Sequence, residues 1–277
     1  MNIPDLAGAI EKRDAAYELK FLVPAPLAES ALAWARRHLS PDPHVNAGHG
    51  DGYRVNSLYF DTSSLDVYQR HGSYGKAKYR VRRYGAEDGI FLERKLKSRG
   101  LVSKRRTRVP DHDIVLLAMS DPTPDWVGHW FRRRLHARRL FPQCQIRYQR
   151  VARVAVTPEG PVRLTLDRDI CSFSTNQYQV HEAGSWIPLL PDKCILELKF
   201  RLGIPPLFKS LIEELGLTPV PVSKYRLSIQ VSGLAPKPAE PELKPEPAKA
   251  NGHIAAGALL GNHHLVTVGQ ADTRQRA

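Results

Sequence analysis

Between residues 78 and 109 the chain reads KYRVRRYGAEDGIFLERKLKSRGLVSKRRTRV, and this stretch limits the possible folds more than any other. On an extended strand alternate side chains share a face. Lys78, Arg80 and Arg82 then point one way, and Tyr79 and Val81 the other. Past the turn at 85–89, Glu93, Lys95 and Lys97 share a face opposite Leu92, Arg94 and Leu96. A third segment, 103–109, aligns Lys104, Arg106 and Arg108. Like charges directly opposite one another destabilise an antiparallel pair. Neighbouring rows of cations make sense when something polyanionic sits between them.

The whole chain leans the same way. Its 277 residues hold 41 Lys and Arg against 28 Asp and Glu, a formal net charge of +13. That balance calls for an anionic partner: nucleic acid, lipid headgroups, phosphate compounds or acidic protein. Cys144, Cys171 and Cys194 are widely spaced and form no CxxC, which argues against a disulfide framework or zinc site and suits a reducing cytoplasm. His44 and His49 sit in a Gly/Asp loop and His263 and His264 in a polar tail, without ligand context. The N-terminus has no apolar region behind a basic start, and no run of about 18 apolar residues occurs. We expect no transmembrane segment, so attachment to a membrane would need a membrane-protein partner.

In chain order, residues 1–13 read as a flexible leader. A strand at 17–23 puts Glu18 and Lys20 on one face, and a helix follows at 27–38. A strand at 53–60, a capped turn and a helical turn at 65–70 lead into the three basic strands. Residues 113–141 carry Leu and Trp at helical intervals and predict two helices. Strands are expected at 143–156, where Tyr148 and Arg150 share a face, and at 162–169, aligning Arg163, Thr165 and Asp167. A further strand is expected at 171–179, and one at 194–201 with Glu197 and Lys199 together. A helix at 203–217 and a final strand at 222–229 complete a domain of residues 14–233. From 234 to 277 the Pro/Ala/Glu/Lys composition predicts a disordered tail.

This order predicts an α+β fold: an antiparallel sheet closed on itself, with helices packed outside. Closure would bring the charged faces into one lumen. So many buried cations need counter-charge, because each ion costs several kcal/mol to desolvate, roughly, even after relaxation. Water, a phosphate chain and the interspersed glutamates could supply it. The glutamates also suit a hard divalent cation such as Mg²⁺ or Mn²⁺.

The motifs Glu18-Leu19-Lys20, Ser57-Leu58-Tyr59-Phe60-Asp61, Tyr79-Arg80-Val81-Arg82, Phe91-Leu92-Glu93-Arg94-Lys95, Leu196-Glu197-Leu198-Lys199 and Ser223-Lys224-Tyr225, in this order, resemble the VTC domain. That family comprises catalytic modules of polyphosphate polymerases within the triphosphate tunnel metalloenzymes, also called CYTH-like. The resemblance implies a closed tunnel of about eight antiparallel strands. It implies that Lys20, Arg80, Arg82, Arg150 and Lys224 grip phosphates, with Arg70 as a further contact. Lys95, Lys104, Arg163 and Lys199 would line the tunnel, and Tyr148 and Ser223 would add hydroxyls. Glu197 would be the principal metal ligand, with Glu18 and Glu93 beside it, for Mn²⁺ or Mg²⁺. The implied partners are ATP and polyphosphate or triphosphate. Polymer synthesis, triphosphate hydrolysis and binding alone share nearly every residue.

Nucleic acid would need aromatics exposed among the cations. Tyr79 alternates away from the charged face, and Tyr84 and Phe91, which share that face's parity, flank the turn at the strand ends, so no nucleic-acid partner is predicted.

Overall fold

A computed structural model describes residues 10–42, 51–85, 87–99, 101–120 and 124–236, with the backbone alone for 10–15. The expected tail from 237 on, the loop histidines His44 and His49, and residues 1–9 of the expected leader lie outside the described residues.

Among the described residues ten strands carry the fold: β1 (Ile10–Pro24), β2 (Ser40–Pro41), β3 (Gly52–Asp61), β4 (Ala77–Tyr84), β5 (Ile90–Ser98), β6 (Leu101–Val109), β7 (Phe141–Thr157), β8 (Gly160–Ser174), β9 (Ile187–Pro188) and β10 (Lys193–Phe200). The helices are α1 (Ala25–His38), α2 (Asp66–Gln69), α3 (His129–Ala137), α4 (Pro206–Glu214) and α5 (Lys224–Val231). Every strand pairing is antiparallel. The ladder runs β7-β3-β4-β5-β6-β1-β10-β8, and β8 pairs back onto β7. Eight strands thus form a closed circuit of pairings, although they are not evenly spaced about one axis.

Two apolar clusters cover the sheet. Ala31, Leu32, Trp34 and Ala35 of α1, with Phe208 and Leu211 of α4, pack on Phe21, Leu164, Leu166, Leu196 and Leu198. Phe131 and Leu135 of α3, with Tyr225 and Ile229 of α5, pack on Leu58, Tyr79, Val81, Leu92 and Ile146. Each fully buried Leu or Phe here is worth about 1.5–3 kcal/mol. Trp126 and Trp130 lie against the second cluster. All three cysteines are free thiols. Among the described residues no helix is long and apolar enough to cross a membrane.

The structure departs from the sequence expectations at four places. The expected final strand at 222–229 is helix α5: Tyr225, Ser228 and Ile229 are buried at helical spacing, and the Ser223 side chain caps the start by accepting the Arg226 N–H at 3.4 Å. Strand β1 begins at Ile10, inside the expected leader, because Ile10–Arg13 pair with Lys104–Thr107. The expected strand at 171–179 is the end of β8, which runs to Ser174. Of the two helices expected at 113–141, the first is a 3-10 helix, Asp111–Leu117, and only the second, α3, is α-helical.

Candidate functional site

The charged faces of the eight paired strands meet around one cavity, completed by the start of α5. Ten cations line it: Lys20, Lys78, Arg80, Arg82, Lys95, Lys104, Arg150, Arg163, Lys199 and Lys224. Among the described residues only two carboxylates, Glu18 and Glu197, join them on the wall, with Tyr59, Tyr84, Tyr148, Tyr225 and Ser223. The cavity therefore gathers thirteen of the fifteen residues singled out above, all except Arg70 and Glu93.

The two Glu-Leu-Lys motifs lie on adjacent antiparallel strands, so each glutamate opposes the other motif's lysine: Glu18 faces Lys199 and Lys20 faces Glu197. Glu18 accepts from Lys95 at 2.6 Å and lies 3.1 Å from Lys199. Glu197 is 3.4 Å from Lys20 and 3.3 Å from Lys199, so one ammonium touches both carboxylates. Burial pushes both acids up, and the surrounding lysines overcome it; Glu197 ends well below the usual carboxylate range.

Glu93 has a different position. It is fully buried and lies behind the wall, with Arg80 on Oε2 at 2.7 Å and Lys104 on Oε1 at 3.0 Å. Both oxygens are engaged, and Arg82 Nη1 lies 3.9 Å from Oε2, so Glu93 is the counter-ion of three cavity cations rather than a group facing the lumen. Arg82 is held by hydroxyls: Nε donates to Ser57 at 3.0 Å, Nη2 to Tyr148 at 3.1 Å and Nη1 to Tyr84 at 3.3 Å. The rigid fork suits planar recognition of an oxyanion.

Asp167 was recognised in the sequence only as a member of a strand face. It anchors two cations, taking Arg150 on both oxygens and Lys224 at 2.5 Å. Burial would raise its pKa, but Arg150 and Lys224 hold it at about 2. Arg163 is placed by Asp42 at 2.7 Å and by the Tyr53 hydroxyl at 3.2 Å.

Lys78 went unselected, although its parity with Arg80 marks it. Its Nζ donates to Ser223 Oγ at 2.8 Å, tying β4 to the N-cap of α5. Burial and the positive charges of Lys20, Lys95, Arg70 and Arg80 pull it down to about 7. Lys95 and Lys104 fall to about 8, chiefly through burial. Depressed lysines mark a cavity whose positive charge exceeds its internal counter-charge.

Arg70 does not line the cavity; it is exposed, with φ 61°, at the end of α2. Tyr84 lies on the charged face, as its parity with Arg82 predicts. Its hydroxyl accepts from Arg82.

A family model described as the VTC domain matches residues 15–232. No curated protein matches the chain. Among solved structures, a candidate adenylate cyclase from Bacillus halodurans is similar at 14% identity and TM-score 0.47, covering 79% of this chain and 97% of that one. A candidate adenylyl cyclase from Hippeastrum, with a dominant triphosphatase activity, is similar at 17% identity and TM-score 0.43, covering 79% and 96%. A protein from Pyrococcus horikoshii is similar at 14% identity and TM-score 0.41, covering 78% and 96%.

Proposed function

The chain belongs to the VTC domain family, and from that premise we propose that it is a polyphosphate polymerase-like phosphotransferase acting on the γ-phosphate of ATP. The single observation that carries this reading is the charge of the cavity: ten cations and two carboxylates on one wall. A phosphate chain is a linear polyanion with about one charge per unit, and its insertion would supply the missing counter-charge. In this reading the circuit of eight strands acts as a tunnel that holds the chain extended.

A divalent metal fits the donors present. Glu18 and Glu197 offer hard oxygens, both reach Lys199, and no third acidic, His or Cys residue is grouped with them among the described residues. Such a pair suits Mn²⁺ or Mg²⁺, which is usually held by one or two carboxylates plus substrate phosphates. When bound, the metal would neutralise charge on the transferred phosphoryl group.

The protein's own residues do the rest by positioning and electrostatics. The Arg82 fork and Arg80 would hold equatorial phosphate oxygens, and Arg150 and Lys224 would hold the leaving side. The terminal phosphate of a growing chain attacks the γ-phosphorus, ADP leaves, and the chain gains one unit. No protein nucleophile is required.

Incubation of the purified protein with ATP and Mn²⁺ tests this, with products separated by chain length. The expected products are ADP and long polyphosphate. Inorganic phosphate alone would instead identify a triphosphate hydrolase. Polyphosphate binding without ATP consumption would identify a binding module.

A further inference from the structure

A second row of cations runs along the opposite side of the same strands. Arg94 of β5 stands directly across from Arg105 of β6, and Arg105 across from Lys12 of β1. Alternation turns Arg94 away from Glu93 and Lys95, and Arg105 away from Lys104, so both leave the cavity side. Arg105 packs on α3, its guanidinium 4.0 Å from the centre of the Trp130 ring. The indole is itself fixed, because Trp130 Nε1 donates to Thr107 Oγ1 at 2.9 Å. Arg134, exposed on α3, brings a further positive charge close to Arg105.

Among the described residues these guanidiniums lack counter-charge. Among the described residues none of Arg94, Arg105 and Arg134 has an ion pair, and the Nε atoms of Arg94 and Arg105 are buried without a hydrogen-bond partner. Burial, Arg94 and Arg134 all lower the Arg105 pKa, and no acid offsets them. The contrast is Arg83, on the same side of the sheet, which holds Asp111 at 2.5 Å and Glu182 at 2.9 Å. Like charges facing each other across strands cost stability. A planar guanidinium pinned on an indole also loses less freedom on gripping an anion.

We propose that Arg94, Arg105 and Arg134 form an exterior site for a phosphate group of a free polyphosphate chain, separate from the cavity. Forked guanidiniums match phosphate oxygens. A phospholipid headgroup carries the same chemistry. However, the exposed residues of α3 are Arg133, Arg134, His136 and the small Ala137, with no exposed large apolar side chain, so the patch suits a soluble anion.

The full chain is treated with phenylglyoxal, with and without inorganic tripolyphosphate, and arginine adducts are mapped by mass spectrometry. Tripolyphosphate should slow modification of Arg94 and Arg105 several-fold and leave Arg37, exposed on α1, unchanged. Protection of Arg150 and Arg163 reports the cavity separately, so either site can fail without the other. Unchanged rates at Arg94 and Arg105 would overturn the proposal. So would protection by phosphatidylglycerol vesicles but not by tripolyphosphate, which would assign the patch to a membrane surface. Arg134→Ala, on an exposed helical face, should weaken long-chain polyphosphate binding by roughly an order of magnitude, the value of one charge-assisted contact. ATP turnover should stay normal, and unaltered polyphosphate affinity in this variant would also count against the site.

Discussion

Arg150 grips Asp167 with two parallel hydrogen bonds, Nε to Oδ1 at 2.6 Å and Nη2 to Oδ2 at 2.8 Å. The same carboxylate also holds Lys224. Two of the strongest candidate phosphate contacts are thus pre-positioned by one buried acid that never reaches the lumen.

Asp167→Asn should therefore leave two buried cations without their counter-ion. Removing one partner of such a buried pair typically costs about 3–5 kcal/mol. Thermal unfolding should reveal this loss, and tripolyphosphate should recover more stability in the variant than in the wild type. Equal ligand-induced shifts would mean that phosphate does not reach Arg150 and Lys224.

Arg80 and Arg82 share a strand face and should contact one phosphate chain. Either change to Ala should weaken triphosphate binding and turnover, each contact being worth about 1.5–3 kcal/mol. Arg→Lys should restore only part of the loss, and the double variant should cost less than the sum, because the residues share a ligand. Arg83 is the control: it faces Asp111 and Glu182 instead, so Arg83→Ala should keep near-normal kinetics.

Stability should depend on pH through the lysines. Lys78 titrates at about 7 in the folded chain against an ordinary 10.5. Below about 7 both folded and unfolded states are protonated, and the full penalty of the crowded charge is present. As pH rises towards 10.5 the unfolded chain holds the proton and the folded one does not, so stability rises. Lys95 and Lys104 add the same trend from about 8 upward. The ligand-free protein should unfold at higher temperature at pH 9 than at pH 7. A falling curve over that window would contradict the assignment.

Glu197→Gln should abolish metal-stimulated turnover while the protein still binds tripolyphosphate, because it removes a metal oxygen and leaves the arginines in place. Wild-type turnover at limiting metal would make Glu197 a salt-bridge partner of Lys20 and Lys199 alone.

Much of this arrangement could be read from the sequence, and for identifiable reasons. Strand periodicity is local, so the parity of Arg80, Arg82, Lys95 and Arg150 followed from alternation alone. The identity of counter-ions did not follow. Whether Glu93 or Glu18 faces the lumen depends on which strands become neighbours, and the β1–β6 and β1–β10 pairings cannot be seen in any short window. Asp167 was hidden for the same reason, since its partners come from another strand and from α5. Helix α5 imitates a strand because Tyr225, Leu227 and Ile229 stand two apart, as on one strand face. Ser223 as its cap was the missed signal.

On the proposed function, the cavity's surplus positive charge holds a phosphate chain. Calorimetric titration with tripolyphosphate at pH 8, in buffers of different ionisation enthalpy, tests it most directly. Tight binding with net proton uptake is expected, because the polyanion restores the charge of Lys78, Lys95 and Lys104. The proton-coupled phase should disappear in Arg80→Ala/Arg82→Ala. Binding without proton uptake, or binding indifferent to those two arginines, would contradict it.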